Sequence, residues 1–259
     1  MKASDRASIV GRFRAAGFPT PEEEAADLVG AAGSPDELEA MVVRRLTGEP
    51  VQWILGRTEF LGLTLGIDTG VYVPRWQTGP VAAHALTHLP PGGIAVDLCT
   101  GSGAVAAFLA HHRPGARVVG TDLDPRAVRC ARHNGVDAHV GSLFGPLPAE
   151  LAGRVDVVVA VAPYVPDRSL VLLPRDVLAH EPRLALDGGA DGLRVIGQII
   201  DSCPMWLRDG GSLVLESGID QVPVVQQSLT GTGLVLETVI HDGDGDPCGV
   251  CASTVVSGS

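Results

Sequence analysis

The sequence has almost no lysine and no long apolar run. Lys2 is the only lysine among the 259 residues, and the formal net charge is −11. A surface with this charge balance has no evident basic field to attract a phosphate backbone, so we expect no nucleic-acid partner. No stretch approaches the roughly 20 apolar residues that cross a bilayer, and no apolar segment follows the first residues. We therefore expect a cytoplasmic protein that does not associate with membranes.

Cysteine is also scarce, and its count is odd. Five cysteines without a secretion signal fit reduced thiols better than a disulfide framework. Cys248 and Cys251 have the spacing of half a zinc or redox motif, but the sequence has no second pair, and a strand is predicted there. The acidic turn at residues 242–246 resembles a calcium loop, yet Pro247 and Ser253 occupy the positions of its glycine and its glutamate. We expect no metal site.

The most informative segment is IAVDLCTGSG, at residues 94–103. An apolar strand leads into Asp97, a tight turn follows at Gly101 and Gly103, and a helix is predicted next. Glycines let a backbone approach a ligand closely, and the first N–H groups of a helix are free to bind it. A second apolar strand ends in Asp122, about 20 residues beyond the loop, where a carboxylate meets ribose hydroxyls. The pattern predicts a site for a nucleotide-like cofactor.

A glycine loop followed by a distal acid serves both nicotinamide dinucleotides and S-adenosylmethionine. Asp97 stands directly before the loop. There it can attract an ammonium group, which the amino-acid end of S-adenosylmethionine carries, whereas a pyrophosphate gains nothing from a neighbouring anion. The sequence therefore favours S-adenosylmethionine, and a nicotinamide oxidoreductase stays as an alternative.

The chain divides into three predicted parts. Residues 1–46 form a helical domain, with two helix starts in which serine or threonine precedes proline and glutamate. Residues 47–75 form a linker with a β-hairpin, whose predicted arms are residues 58–65 and 71–74. In residues 76–259 strands alternate with helices, one of them predicted over residues 192–207, which predicts an α/β domain. Two late strands, at residues 234–240 and 250–256, are joined without a helix and predict an antiparallel edge.

Six sequence blocks carry a resemblance to a known family. In chain order they are EFLGL (59–63), VPR (73–75), DLCTGSG (97–103), VAPY (161–164), EPRLALDGGADGL (181–193) and GGSLVLESGIDQ (210–221). With these blocks the chain resembles the protein-glutamine N-methyltransferases that modify peptide chain release factors. The resemblance implies a seven-stranded, Rossmann-like class I methyltransferase sheet behind a small helical substrate-recognition domain. It also implies S-adenosylmethionine as the methyl donor and S-adenosylhomocysteine as the product.

The predicted site residues follow from the resemblance and from their place at strand ends. The predicted cofactor-binding residues are Asp97, Cys99, Thr100, Gly101, Ser102, Gly103, Asp122, Leu123, Ser142, Leu143 and Val161. The predicted catalytic turn consists of Val161, Ala162, Pro163 and Tyr164. The predicted substrate-binding residues are Arg75, Thr78, Tyr164, His180 and Glu181. His180 could act as a base in the crevice, and a structural or surface role for it is the alternative.

Several positions depart from the family's pattern. The family has glycine where Cys99 stands, an acid where Ser142 stands, and glutamates where Gln77 and Gly79 stand. These differences alter the glycine turn, the adenine contact and the loop after the VPR block.

The departure with the largest chemical consequence lies in the tetrad. The family reads Asn-Pro-Pro-Tyr, and this chain reads Val161-Ala162-Pro163-Tyr164. The asparagine binds the acceptor amide and aims its poorly nucleophilic nitrogen, and a valine side chain cannot accept a hydrogen bond. We therefore expect an altered acceptor, a small molecule of specialised metabolism. The alternatives are a protein-glutamine methyltransferase that uses backbone carbonyls alone and a cofactor-binding protein without transferase activity. The sequence predicts no oligomeric state.

Overall fold

Short helices flank the strands and also form the N-terminal part of the chain. The computed structural model describes residues 3–255. The helices are α1 (Ala3–Ala15), α2 (Pro21–Ala31), α3 (Pro35–Leu46), α4 (Val51–Leu55), α5 (Gly79–His88), α6 (Ala104–His112), α7 (Pro125–His133), α8 (Asp167–Leu170), α9 (Arg175–His180), α10 (Arg194–Ser202) and α11 (Val222–Ser228). None of the helices in residues 3–255 is both long enough and apolar enough to cross a membrane.

The first four helices enclose an apolar cluster of their own. Phe13, Leu28 and Val42 are fully buried at its centre. A buried ion pair joins two of the helices, because the Arg45 guanidinium donates to both carboxylate oxygens of Glu24 at 2.6 and 3.0 Å. Burying such a pair is tolerable only when both partners are present and well oriented, so the pair fixes how α2 and α3 pack.

The strands form a small hairpin and a large sheet. They are β1 (Arg57–Phe60), β2 (Leu63–Gly66), β3 (Ile94–Leu98), β4 (Arg117–Asp122), β5 (Asp137–Val140), β6 (Val155–Ala160), β7 (Leu207–Glu216), β8 (Leu234–His241) and β9 (Pro247–Thr254). The order in the seven-stranded sheet is β5-β4-β3-β6-β7-β9-β8. Strand β9 runs antiparallel to both of its neighbours, and the other pairs are parallel. The predicted α/β fold with an antiparallel edge is confirmed.

The sheet core explains why the central strand reads as an unbroken apolar run. All six residues of β6 are buried, since helices cover both faces of the sheet at its middle. Parallel strands on either side of β3 bring their carboxyl ends to one edge, where α/β proteins bind ligands. The site described below lies at that edge.

The predicted hairpin is wrong in its arms. Residues 58–65 were expected to form one arm, but they contain both strands, β1 and β2, joined by a turn at Leu61 and Gly62 with φ angles of 48° and 83°. Residues 71–74 form no strand. Val71 is buried against Trp53, whose indole N–H donates to the Val71 carbonyl at 2.9 Å. The error arises because the turn has Gly62 as its only glycine, and Leu61 adopts a left-handed conformation that is rare for a non-glycine residue.

Two other predicted boundaries differ. The helix predicted over residues 192–207 ends at Ser202, where a 3₁₀ turn containing Pro204 leads into β7. The last strand was predicted over residues 250–256, and it runs from Pro247 to Thr254. Its predicted end at Val256 lies outside the described residues.

Candidate active site

A crevice of about 1350 Å³ opens at the carboxyl ends of the central strands. Its walls come from the loops after β3, β4, β5 and β6 and from the segment before α5. The helical part also contributes, since residues between α1 and α2 and after α3 line the same space. The crevice is therefore bounded by both parts of the chain.

The turn after β3 presents backbone to this crevice. Cys99 and Gly101 line it, with φ angles of 57° and 56°. A Cβ atom on Gly101 would meet no atom within 4 Å, so this glycine borders open space. A Cβ on Gly103 would lie 2.8 Å from a methyl group of Val136, so that glycine is needed for packing against the chain after α7. The left-handed backbone at Cys99 costs a non-glycine residue about 1–2 kcal/mol, which explains the family's glycine there.

Asp97 does not contact the crevice, contrary to the prediction that it attracts the cofactor's ammonium group. It is 1% exposed, and its Oδ2 accepts hydrogen bonds from the Thr100 hydroxyl at 2.6 Å and from the Ala106 N–H at 3.1 Å. Burial raises the pKa of Asp97 to about 7, although these two hydrogen bonds oppose the shift. Its carboxylate ties the turn to the first turn of α6. The sequence places an acid before the loop but cannot show that Thr100 in the turn and Ala106 in α6 both donate to it.

Two further predicted cofactor residues are also buried beneath the turn. Thr100 uses its hydroxyl on Asp97, and Ser102 is 2% exposed, with its carbonyl accepting the side-chain N–H of Asn134 at 2.9 Å. Neither lines the crevice, so both shape the turn without reaching into it.

Asp122 lies at the crevice wall beside the turn. Its Oδ2 accepts the Gly101 N–H at 2.9 Å, and its Oδ1 accepts the Asp124 N–H at 2.9 Å. Burial raises the pKa of Asp122, and the hydrogen bonds from Asp124 and Gly101 counter that shift. Each oxygen keeps a second lone pair for a ligand hydroxyl. Asp122 thus joins the glycine turn to the neighbouring strand end, where a ribose would bind.

The remaining predicted cofactor residues border the crevice as well. They are Leu123, Ser142, Leu143 and Val161. Leu143 has a φ of 47°, and the hydroxyl of Thr121, also in the crevice wall, is buried without a hydrogen-bond partner among the described residues. An open glycine, a carboxylate and apolar side chains around one cleft fit a nucleoside attached to an amino acid.

The tetrad lines the same crevice, and all four of its residues, 161–164, are in the wall. The Tyr164 carbonyl accepts the side-chain N–H of Gln221 at 2.9 Å, and the same amide donates to the Asp191 carbonyl at 3.1 Å. A Cβ on Gly192 would lie 2.2 Å from the Tyr164 carbonyl oxygen and 2.3 Å from Gln221 Nε2. The tetrad turn is therefore held by a glycine and a glutamine far away in the sequence.

The block at residues 181–193 is hydrogen-bonded to the segment that follows the tetrad turn. The N–H of Val165 donates to the Leu186 carbonyl at 3.0 Å, and the Gly188 N–H donates to the Val165 carbonyl at 2.9 Å. These two bonds make a short parallel bridge between the segment after the tetrad and the glycine-rich block. The geometry explains why the two blocks occur together.

The acceptor side of the crevice contains an ion pair and two tyrosines. Arg75 lines the crevice, pairs with the buried carboxylate of Glu181, and lies over the Tyr72 ring at 4.9 Å. Burial raises the pKa of Glu181, although Arg75 opposes that shift. Glu181 itself does not line the crevice, contrary to its prediction as a substrate contact. It orients Arg75.

Thr78 was also predicted to contact substrate, but it is 3% exposed and does not reach the crevice. Burial raises the pKa of Glu216, and the neighbouring hydroxyls of Thr78 and Tyr164 oppose that rise. The Glu216 Oε2 atom has no hydrogen-bond partner within residues 3–255. Thr78 thus positions Glu216, a crevice residue that the sequence analysis missed.

His180 does not line the crevice, so its position fits the alternative structural role and not a role as a base or substrate contact. Its Nε2 lies 3.3 Å from the Thr47 carbonyl, and its ring contacts Trp53 edge to face at 6.4 Å between centroids. The side chain joins α9 to the helical part. The next residue, Glu181, lies just past the end of α9 and pairs with Arg75.

Four functional candidates were not identified from the sequence: Tyr72, Trp76, Glu216 and Gln221. Glu216 and Gln221 belong to the GGSLVLESGIDQ block, so the block was recognised without a role for either side chain. Tyr72 and Trp76 flank the VPR block, which was recognised without a role for either ring.

The sequence of this chain matches known methyltransferases. A family described as a methyltransferase domain matches residues 96–172. The release factor glutamine methyltransferase of Mycolicibacterium smegmatis is 35% identical over 252 residues, which cover 95% of this chain and 85% of that protein. The chain belongs to the release factor glutamine methyltransferase family.

Other members and neighbours of the release factor glutamine methyltransferase family extend the comparison. The 4-amino-L-phenylalanine/4-methylamino-L-phenylalanine methyltransferase of Streptomyces pristinaespiralis is 37% identical over 203 residues, covering 74% of this chain and 69% of that protein. A methyltransferase structure from Pyrococcus furiosus matches with a TM-score of 0.55 at 15% identity, over 84% of this chain and 98% of that one, and shows the fold alone. The predicted family, enzyme class and methyl donor, S-adenosylmethionine, are confirmed.

Proposed function

We propose that this family member is a cytoplasmic N-methyltransferase whose acceptor is a small aromatic amine of specialised metabolism. The observation that carries the proposal is Val161, an apolar side chain in the crevice wall at the position where the family has an asparagine. The acceptor meets the methyl donor at this turn, so a change there alters which nitrogen is aimed at the methyl group.

An amide and an amine make different demands on this turn. An amide nitrogen has a delocalised lone pair, and it must be held through its hydrogens to react. Without the asparagine, a buried amide N–H left unpaired costs about 1–3 kcal/mol, or roughly tenfold to over a hundredfold in rate. An aromatic amine is neutral at pH 7 and keeps a usable lone pair, so it needs orientation but no amide clamp.

The acceptor side of the crevice suits an aromatic amine. Tyr72, Trp76 and Tyr164 supply ring surfaces, and Trp76 is 67% exposed, so it is available to a ligand. Glu216 is in the crevice wall, and its buried Oε2 atom has no hydrogen-bond partner within residues 3–255, so it keeps an acceptor for a substrate N–H that reaches it. The relative from Streptomyces pristinaespiralis is named for an aromatic amine of an amino acid, which supports the same substrate class here.

The roles of the residues follow from this placement. Gly101, Asp122, Ser142 and Leu143 would hold S-adenosylmethionine, whose sulfonium supplies an already activated methyl group. The carbonyls and rings of the tetrad would aim the acceptor nitrogen in line with that methyl group and exclude water. The nitrogen loses one proton after transfer, and the carboxylate of Glu216 is the nearby buried base that can take it. No metal takes part in this chemistry.

The helical part would choose the acceptor. We propose residues 1–46 as the recognition domain, 47–75 as the linker and hairpin, and 76–259 as the catalytic domain. Phe18 and Gly48 of the first two parts line the crevice, whereas the residues proposed for the cofactor all come after residue 96. A variant without the helices should therefore keep its affinity for the donor and lose acceptor selectivity.

A second candidate function is methylation of a release-factor glutamine. The favouring observation is the match to the Mycolicibacterium smegmatis enzyme, which spans 95% of the chain and so includes the helical part. In that case the backbone carbonyls of Val161 and Ala162 would have to bind the amide hydrogens unaided.

One experiment separates the two functions. Purified enzyme is incubated with labelled S-adenosylmethionine and either 4-amino-L-phenylalanine, L-phenylalanine as the control without the ring amine, or a bacterial release factor. We expect label on the ring amine alone.

The variant Val161→Asn tests whether the missing asparagine side chain causes the preference for an amine acceptor. Restoring the amide side chain should raise release-factor methylation by roughly one to two powers of ten, if one hydrogen bond limits it, and should lower amine turnover. Ala162→Ser in the same turn is the control and should leave the preference unchanged. Robust labelling of the release factor by the wild type would overturn the proposal.

A further inference from the structure

Two histidines, a cysteine and a glutamate converge at the antiparallel edge of the sheet. His84 and His88 stand one turn apart on α5, Glu237 is on β8, and Cys251 is on β9. None of the four lines the cofactor crevice. The methyl-transfer chemistry proposed above uses none of them.

The ligand atoms of His84, His88 and Cys251 all lie within 4.8 Å of one another, and Glu237 lies beside this group. The Nε2 atoms of His84 and His88 are 3.2 Å apart, and the His88 Nε2 atom lies 3.7 Å from both the Cys251 Sγ and a Glu237 carboxylate oxygen. The Cys251 sulfur is 3.5 Å from the same oxygen. Zinc bonds of about 2.0–2.3 Å in a tetrahedron separate neighbouring ligands by roughly 3.3–3.6 Å. These four separations agree with that range within a few tenths of an ångström. Glu237 lies outside the compact group of three, and its half-exposed side chain is free to rotate toward it.

Hydrogen bonds behind the cluster set its protonation. His88 Nδ1 lies 2.9 Å from the Ser212 hydroxyl, that hydroxyl lies 2.9 Å from the Ser253 hydroxyl, and Ser253 donates to the second carboxylate oxygen of Glu237. Because the carboxylate can only accept, the chain runs from His88 Nδ1–H through the two hydroxyls to Glu237. The proton on Nδ1 leaves the Nε2 lone pair pointing into the cluster. Such outer partners are typical of metal-binding histidines.

We propose that His84, His88 and Cys251 form a structural zinc site that fastens α5 to the β8–β9 edge, with the Glu237 carboxylate turning in as the fourth ligand. Four protein ligands fill a tetrahedron, which leaves no open position for a substrate. Binding releases one proton to solvent, because the Cys251 thiol becomes a thiolate while both imidazoles bind in the neutral form. Thiolate and carboxylate together neutralise the ion. The expectation of no metal site considered Cys251 only with Cys248, which is not part of the cluster.

Metal titration of the full-length enzyme tests the site. Protein stripped with a chelator is titrated with Zn²⁺ against a chromophoric competitor, and separately with Co²⁺. We expect one ion per chain, a tetrahedral cobalt spectrum with a thiolate-to-metal band, and a thermal midpoint that rises with Zn²⁺. Ser212→Ala should weaken binding about 10- to 100-fold, as loss of an outer partner does elsewhere.

Matched variants assign the ligands. His84→Ala and Cys251→Ser should abolish the stoichiometric binding, whereas His111→Ala, on α6, and Cys248→Ser, on the same strand as Cys251, should keep it. Retained affinity for S-adenosylmethionine would show that the variants are folded, since the cluster lies outside the crevice. If a ligand variant does not fold, the cobalt spectra of the wild type and Cys248→Ser decide.

Three results would overturn the proposal. They are a wild-type protein that binds no zinc above the competitor, a cobalt spectrum without a thiolate band, and zinc binding that Cys248→Ser removes. The first would mean that the four side chains form a hydrogen-bonded cluster only.

Discussion

Substituting Gly192 by alanine tests whether a remote glycine holds the acceptor turn. The new Cβ would lie 2.2 Å from the Tyr164 carbonyl oxygen and 2.3 Å from Gln221 Nε2, and the backbone has a φ of 81°. Moving either neighbour costs free energy, because the Tyr164 carbonyl is part of the backbone and the Gln221 amide is buried and makes two hydrogen bonds. The turn must therefore move.

The loss of stability expected for Gly192→Ala has two contributions. An alanine in the left-handed region costs about 1–2 kcal/mol, and displacing a buried amide from its partners costs about 1–3 kcal/mol more. Gly115→Ala is the matched control, because its φ is 89° and a Cβ there would meet no atom within 4 Å. We expect Gly192→Ala to be less stable than Gly115→Ala by about 1–3 kcal/mol in urea unfolding.

Methyl-transfer activity measures the effect of Gly192→Ala on the tetrad turn independently of stability. A shift of about 1 Å in the tetrad can cost roughly a hundredfold in methyl transfer, whereas affinity for S-adenosylmethionine should stay within a few-fold, since Gly101 and Asp122 are not displaced. Equal stability and equal turnover in the two alanine variants would refute the reasoning.

Three further predictions concern single carboxylates. The Asp97 pKa is about 7 in the folded chain and about 3.9 in an unfolded one, so its contribution to stability is full below about pH 4 and is lost as the pH rises through 7. Relative to Asp97→Asn, the wild type should lose about 2–3 kcal/mol between pH 5 and 8 in urea unfolding, and equal pH slopes would contradict this. Asp122→Ala should weaken S-adenosylmethionine binding at least about tenfold in calorimetry, with Asp201→Ala unchanged, because ribose hydrogen bonds are lost. Glu216→Gln should lower amine turnover about 10- to 100-fold at unchanged donor affinity, and full activity would exclude Glu216 as the proton acceptor.

The parallel sheet was predictable because its signals are local. The glycine turn, the acid at Asp122 and the apolar run of β6 each report their own surroundings, and parallel strands bring them to one edge. The bounds of the two hairpin strands were not predictable, because Leu61 adopts a left-handed conformation that a leucine in a sequence does not indicate.

Side-chain direction limited the prediction of the site. Asp97, Thr78 and His180 each lie within two residues of a crevice residue in the sequence. Asp97 accepts a hydrogen bond from α6, Thr78 lies near Glu216 and His180 contacts Thr47, and none of the three lines the crevice. Gln221 was hard to assign for the opposite reason, since it acts on a turn 57 residues away. Contacts of this range depend on tertiary packing, which periodicity and spacing do not encode.

The cluster of His84, His88, Glu237 and Cys251 could not be predicted from the sequence for the same reason. A histidine pair four residues apart on a predicted helix is common, and Cys251 is 163 residues from His88 in the chain. Only the pairing of β8 with β9, and of β9 with β7, brings the cysteine, the glutamate and Ser212 to α5.

Competition between two acceptors in one tube tests the central claim most directly. Wild-type enzyme receives limiting labelled S-adenosylmethionine with 4-amino-L-phenylalanine and a bacterial release factor together, and mass spectrometry locates the methyl group. The replacement of the amide clamp by Val161 predicts methyl on the ring amine, with the release-factor glutamine essentially unmodified. Methyl on that glutamine, with the amine unmodified, would contradict the account.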